Sequence, residues 1–278
     1  MINTITLNGT QIAFDEHGIP GPGPAIVLLP GWCHDHRYYD RLLRRLAPEH
    51  RVIRVNWRGH GPDRTPVADF GIAEQTADTI ALLDALDMTT FVPVAHAHGG
   101  WVALEMAEEL GPQRVPQLLI VDLIMTQLPP DFHFGLQAMQ QRETWVMARE
   151  GLAQSWMAGS SNEHVTHHAL HETGGFGFDM WSRSCRVIEN AYNTWGSPMA
   201  RMEQLTHPRP VRHVFAHPKV AEYDALHEDF RSRNPWFSYT RLEGETHFPA
   251  LEQPEQVAAE LNDFLKGAPL TARGGHPD

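Results

Sequence analysis

Short apolar runs separated by turn residues and amphipathic stretches dominate the first half of the chain. Ala25-Ile-Val-Leu-Leu-Pro30 is continuously apolar, as is Leu118-Leu-Ile-Val121, and Phe91 to Ala95 is a third such run. Strands buried on both faces of a parallel sheet read this way. Arg51 to Asn56 predicts a fourth strand, and Val211 to Ala216 and Phe237 to Leu242 predict two more. At the N-terminus, Thr4 to Leu7 and Gln11 to Phe14 alternate around Asn8-Gly9, the signature of an antiparallel hairpin. Between the strands, Arg37 to Leu46, Ile72 to Leu86, Trp101 to Leu110 and Pro254 to Leu265 have helical character. Strands alternating with helices predict an α/β fold with a mainly parallel, doubly wound sheet.

From about 126 to 205 the pattern changes. Met, Trp, His, Gln and Arg replace the apolar runs, and helical patches occur at Phe134 to Met147 and Leu152 to Met157. This predicts an inserted, mostly helical cap (126–205) between two parts of one core (1–125 and 206–266). Residues 267–278 are rich in Gly and Pro and are expected to fray.

The most informative stretch is Phe91-Val-Pro-Val-Ala-His-Ala-His-Gly-Gly-Trp-Val102. Strand, sharp turn and helix follow one another as in a nucleophile elbow, whose pattern is Gly-x-Ser-x-Gly. Here the turn reads Ala95-His96-Ala97-His98-Gly99, and Ala97 occupies the nucleophile's place. Any chemistry must therefore proceed without a covalent serine intermediate. The backbone N–H of His98, with that of Trp32 after the first core strand, remains able to form an oxyanion hole. His247, between the last strand and the last helix, stands where such folds carry a general base. Its carboxylate partner is expected to be Asp122, because Ala216-His217-Pro218-Lys219 after the next strand holds no acid. Asp122 could also serve merely as a cap. Trp32, His34, the His96–His98 turn, Asp122 and His247 all fall at C-terminal strand ends, where ligands bind in such sheets.

Composition narrows the partners. Over 278 residues the formal net charge is −12, which argues against nucleic acid and anionic membranes. Two distant cysteines, Cys33 and Cys185, offer no disulfide framework, and no signal peptide or membrane span is legible; a cytoplasmic location is expected. The pairs His34-x-His36 and His96-x-His98 invite a metal reading. A sharp turn sends alternate side chains apart, and a third ligand is missing, so no metal is expected. His167, His168 and His171 lie in a polar helical context and are expected on a solvated face. Trp145, Trp156, Trp181 and Trp195 are expected to pack between cap and sheet, with some of them lining a cavity.

These motifs together carry a resemblance. Leu29-Pro-Gly-Trp-Cys-His-Asp-His-Arg37, Asn56-Trp-Arg-Gly-His-Gly61, His96-Ala-His-Gly-Gly-Trp-Val102, Gly196-Ser-Pro-Met199, Asn234-Pro-Trp-Phe-Ser-Tyr239 and Thr246-His-Phe-Pro-Ala250 resemble the cofactor-free 3-hydroxy-4-quinolone 2,4-dioxygenases of the α/β-hydrolase fold, from about Ile5 to Phe264. The likeness is strongest to members that cleave 2-alkyl-3-hydroxy-4(1H)-quinolones. It implies an alkylquinolone substrate, O2 as co-substrate, no cofactor and no protein partner. It also implies His247 as base and Asp122 as its dyad carboxylate. Trp32 and His98 would supply the oxyanion-hole amides, His96 would flank the oxygen-binding space, and Trp156 would lie beside the substrate. His34 and Ala97 complete the expected pocket. The family member acting on the 2-methyl substrate has serine where this chain has Ala97. That serine is auxiliary, so the departure bears on substrate orientation. Two other readings are a hydrolytic or hydroxynitrile-lyase-like enzyme of the same fold, and a non-catalytic ligand receptor.

Overall fold

The alternation of side chains along the core strands builds two hydrophobic layers at once. In the computed structural model, which describes residues 1–267 apart from Asn8, Pro22, Asp63, Thr65, Ala158 and Gly159, β3 (Ala25–Leu29) sends Val27 and Leu29 to one face and Ile26 and Leu28 to the other. β5 (Phe91–His96) and β6 (Leu118–Val121) divide likewise: Phe91, Ala95, Leu118 and Ile120 on one side, Val92, Val94, Leu119 and Val121 on the other. This is the period-two geometry of a strand covered on both faces. Each fully buried aliphatic side chain contributes about 1.5–3 kcal/mol. Truncating one to alanine costs roughly 2–5 kcal/mol once the cavity is counted.

Eight strands form one sheet in the order β1-β2-β4-β3-β5-β6-β7-β8. β1 (Asn3–Leu7) and β2 (Thr10–His17) make the expected antiparallel hairpin, and β2 pairs antiparallel with β4 (Val52–Val55). From β4 through β3, β5, β6, β7 (Val211–Phe215) and β8 (Phe237–Arg241) all pairings are parallel. The strand order reverses at β3, whose neighbours are β4 on one side and β5 on the other. A crevice opens at such a switch point, at the C-terminal strand ends. α1 (Asp40–Leu46), preceded by a 3-10 turn at His36–Tyr39, packs with α11 (Pro254–Gly267) on one face. α2 (Ile72–Ala85) and α3 (Gly99–Arg114) cover the other. Both cysteines are buried and free.

Between β6 and β7 the described chain holds helices and turns. These are α4 (Pro130–Met139), α5 (Trp145–Met157), α6 (Glu163–His167), α7 (Phe178–Trp195) and α8 (Pro198–Glu203). The helix expected over Phe134 to Met147 is instead two helices broken at Gln140–Thr144. There Thr144 Oγ1 donates to the Ala138 carbonyl and Gln140 Nε2 donates to Glu189, capping the end of α4 from the side. α7 buries Trp181, Ser184, Cys185, Ile188, Ala191 and Tyr192 at helical spacing and ends at Gly196, with φ +78°. α9 (Ala221–Arg233), which periodicity did not reveal, connects β7 to β8. The short α10 (Pro249–Glu252) precedes α11. The tail beyond Gly267 and Asn8 of the expected hairpin turn lie outside the described residues.

Candidate active site

Three of the sharp turns that end core strands use a non-glycine residue in the left-handed region: Cys33 after β3 (φ +49°), Ala97 after β5 (φ +46°) and Asp122 after β6 (φ +48°). Such strain persists where surrounding structure over-determines it, and it clusters at functional sites. At β5 the brace is visible. Ala97 N–H donates to the Val121 carbonyl at 2.8 Å, and Gly100 N–H returns to the Ala97 carbonyl at 2.8 Å to start α3. Gly99 must be glycine, because a Cβ there would sit 2.7 Å from the Pro30 carbonyl oxygen. The elbow geometry is thus complete, with a methyl group at its tip.

His247 lies on the loop between β8 and α10, which is tied down on several sides. Its Nδ1–H donates to Asp122 Oδ1 at 2.8 Å. Its amide donates to the Trp156 carbonyl at 3.2 Å, and its own carbonyl accepts from His96 Nε2 at 2.9 Å. Glu252 accepts from the Glu245 amide, the Thr246 amide and the Thr246 hydroxyl, at 2.9, 2.9 and 2.7 Å. Asp122 is 4% exposed, and its second oxygen accepts from the Ala216 amide at 2.7 Å and the His217 amide at 3.4 Å. The loop after β7, which carries no acid, therefore serves the acid of the neighbouring strand. With Nδ1–H engaged by a carboxylate, the neutral ring keeps its lone pair on Nε2, the tautomer a general base requires.

A cavity of about 400 Å³ opens beside these groups, lined by Trp32, His34, Ala97, His98, Asp122, Trp156 and His247 among others. Such a volume suits a small organic ligand. Trp156 stacks on His247 with ring centroids 5.3 Å apart and planes at 21°, and Trp32 stacks on Phe132 at 5.9 Å. Among the described residues, neither the Trp32 nor the His98 backbone N–H has a protein acceptor. The His98 side chain turns away, its Nε2 2.8 Å from Gln75 Oε1, and burial pushes its pKa down to about 3. His96 is fully buried and lies behind the lining, 5.3 Å from the His34 ring and 4.8 Å from the His247 ring. Burial first, and then the His247 ring, hold His96 well below the usual imidazole range, so it is neutral. Because its Nε2–H donates to a carbonyl, its Nδ1 carries the lone pair.

The two His-x-His pairs splay as their turns dictate. His36 Nδ1 sits 3.0 Å from Asn56 Oδ1, away from His34. Among the described residues no group of three or more His, Cys, Asp or Glu side chains could hold a metal ion.

The family model described as the alpha/beta hydrolase family matches residues 26–260. The 2-heptyl-3-hydroxy-4(1H)-quinolone dioxygenase of Mycobacteroides abscessus is 59% identical over 268 residues, covering 96% of this chain and 99% of that one. The chain belongs to the alpha/beta hydrolase family, among its quinolone dioxygenases. Within this family, the 1H-3-hydroxy-4-oxoquinoline 2,4-dioxygenase of Pseudomonas putida is 35% identical over 265 residues, covering 95% of this chain and 100% of its own length. A solved structure of an AqdC variant with its substrate, from work on ring cleavage of the Pseudomonas quinolone signal, superposes with a TM-score of 0.94. It is 58% identical and covers 96% of this chain and 100% of that one.

Measured against that dioxygenase frame, sequence reading missed two groups near the site. Glu252, four residues into the closing segment, shows its role only once the β8 loop folds over it. His168, expected on a solvated face, is instead 1% exposed: its Nε2 lies 2.5 Å from His34 Nδ1 and its Nδ1 is bonded to Glu172. His167 and His171 are exposed, as expected. Of the cap tryptophans, Trp181 is buried in the core, while Trp156 reaches the cavity. No helix among the described residues is long and apolar enough to cross a membrane.

Proposed function

We propose that the protein is a cofactor-independent dioxygenase. It opens the ring of 2-alkyl-3-hydroxy-4(1H)-quinolones, with the 2-heptyl compound as preferred substrate, giving an N-acylanthranilate and carbon monoxide. The observation that carries this reading is a carboxylate-anchored imidazole, Asp122–His247, facing a cavity whose nucleophile position is Ala97. The 59% identity to a 2-heptyl-3-hydroxy-4(1H)-quinolone dioxygenase over nearly the full length of both chains supplies the substrate class.

Each step has a physical source. His247 Nε2 removes the 3-hydroxyl proton, and Asp122 stabilises the imidazolium that results. The amides of Trp32 and His98 hold the negative charge spread over the ring oxygens. The electron-rich anion passes one electron to O2, and the radical pair combines at C2. The terminal peroxide oxygen then attacks C4. Collapse of the bridged peroxide expels C3 with its oxygen as carbon monoxide. One O2 atom is left on the new amide carbonyl and the other on the new carboxylate. The helical segment 126–205 serves as the lid, with Trp156 against the base and the substrate. His34 borders the space O2 enters, and His96 backs it from behind the lining. Dyad, amides and apolar walls suffice for this sequence, because the substrate anion is itself the reductant.

Purified protein, treated with chelator and incubated in air with 2-heptyl-3-hydroxy-4(1H)-quinolone, is expected to release one carbon monoxide per O2 consumed. No gas from either the 2-heptyl or the 2-methyl substrate contradicts the assignment. Ester hydrolysis in its place favours the hydrolytic reading. Binding without oxygen uptake favours a receptor.

A further inference from the structure

A second carboxylate–imidazole system reaches the same cavity. Glu172 bonds to His168 Nδ1, His168 Nε2 lies 2.5 Å from His34 Nδ1, and His34 lines the cavity. The two imidazoles are stacked, with centroids 4.8 Å apart and planes at 13°. His34 and His168 are each 1% exposed. Beyond His168 lies a different pocket, of about 580 Å³, lined by Arg37, Arg41, Arg44, His164, His167 and Glu172 among others. His168 borders this outer pocket, and His34 borders the catalytic one. The wall between the two is thus crossed by a hydrogen-bonded chain of two imidazoles.

The polarity of that chain can be assigned. Glu172 stays a carboxylate: burial pushes its pKa up, but the hydrogen bond from His168 and the nearby Arg37 charge outweigh that and hold it below the usual range. An ionised carboxylate only accepts, so His168 carries its proton on Nδ1 and offers a lone pair at Nε2. At 2.5 Å one proton must lie between the two rings, and it therefore belongs to His34 Nδ1. Burial, with the neighbouring imidazoles of His168, His96 and His247, keeps His34 neutral. Its Nε2 then holds a lone pair, and no described residue bonds to it. The charged and titratable groups around the chain are Arg37 at 3.6 Å and His167 at 3.7 Å from Glu172, Asp35 bonded to Arg37, His96 at its inner end and the Tyr38 ring beside it.

We propose that His34, His168 and Glu172 form a proton exit from the catalytic cavity to the outer pocket. The inference rests on the dioxygenase reading, in which each turnover sheds a proton. A neutral hydroxyquinolone plus O2 becomes a carboxylate product and carbon monoxide, so each turnover leaves one proton. His247 takes that proton beneath the lid, with Nδ1 occupied by Asp122 and the Trp156 ring stacked against it. A cavity water relays the proton from His247 Nε2 to His34 Nε2. His34 passes its Nδ1 proton to His168 Nε2, and the resulting imidazolium is neutralised by Glu172. The His168 Nδ1 proton then passes to Glu172, which borders the outer pocket and releases it to water there, and rotation of no side chain is needed until the wire resets. His168 and Glu172 act through His34 and are positioning residues; neither touches the substrate.

The test separates chemistry from proton release. With enzyme in excess, His168→Phe, which keeps the ring stack, and Glu172→Gln are expected to complete the first turnover within about twofold of the parent rate. Under substrate excess in weak buffer, multiple turnover should fall about tenfold or more, and added imidazole should restore much of it. A pH indicator should show the proton lagging behind product. Loss of single-turnover rate without rescue by imidazole would assign these residues a structural role and overturn the exit. So would unchanged multiple turnover and proton release in both variants. An inactive parent would instead defeat the dioxygenase reading. The wire's polarity is tested independently of activity by imidazole 15N shifts in ligand-free protein. They are expected to show the His34 proton on Nδ1; a proton on Nε2 would reverse the wire and refute it.

Discussion

The turn after β5 and the loop after β8 were built for one job in a hydrolase, and here they have diverged. The β5 turn keeps all its strain, with Ala97 at φ +46° and Gly99 against the Pro30 carbonyl, yet it presents a methyl group. The β8 loop keeps its base, and that base is braced by Asp122, Trp156, His96 and, through Thr246, Glu252. A strained turn without its nucleophile still leaves the backbone N–H of His98, a cavity-lining residue, without a described protein acceptor. In the proposed reaction the emptied elbow serves as a charge-stabilising frame, whereas His247 is required as the base. Substrate that supplies its own electrons needs a proton acceptor and a place for negative charge, and those are the two features retained.

The comparison is broken most severely at the base. His247→Ala should lower kcat roughly 10²- to 10⁴-fold with the fold intact by circular dichroism. Near-normal turnover would remove His247 from the reaction. Asp122→Ala should cost less, on the order of 10²-fold in kcat, since the ring survives but loses its fixed tautomer. A change confined to KM would assign Asp122 to binding only.

The elbow's side chains, as distinct from its His98 amide, are expected to matter more for acid stability than for chemistry. His98 is buried neutral, its pKa pushed from 6.5 down to about 3, so the unfolded chain takes up the proton first. Its contribution is fully present above pH 6.5 and is lost as pH falls below that value, by roughly 2 kcal/mol at pH 5. His98→Gln should flatten the fall in Tm between pH 7 and pH 5, while an unchanged slope would show that other groups carry it. The smallest effect is expected from Ala97→Ser, which restores the hydroxyl: oxygenase turnover should stay within about threefold, under ~1 kcal/mol of barrier. A large loss would mean that the empty elbow tip is needed for substrate or O2 to fit.

What could be read in advance follows a physical boundary. The core strands announce themselves because burial on both faces demands unbroken apolar runs, and the elbow does so because glycine at 99 is compelled by a backbone contact. Asp122 was legible from the order of strand ends. His168 was not, because its burial is set by His34, 134 positions away, and nothing in the local pattern of Glu163 to Glu172 distinguishes it from His167. The break between α4 and α5 was hidden for the same reason: the side chain that caps it belongs to Glu189 on another helix. α9 escaped because its buried face is narrow, only Tyr223, His227 and Phe230.

The origin of the product's oxygens is the most direct test of the central claim, that a base-generated substrate anion meets O2 in a site whose elbow carries no attacking hydroxyl. Turnover of the 2-heptyl substrate under 18O2 should place one labelled atom in the amide carbonyl and one in the carboxylate of the anthranilate, with carbon monoxide unlabelled. Product oxygen drawn from water would contradict it.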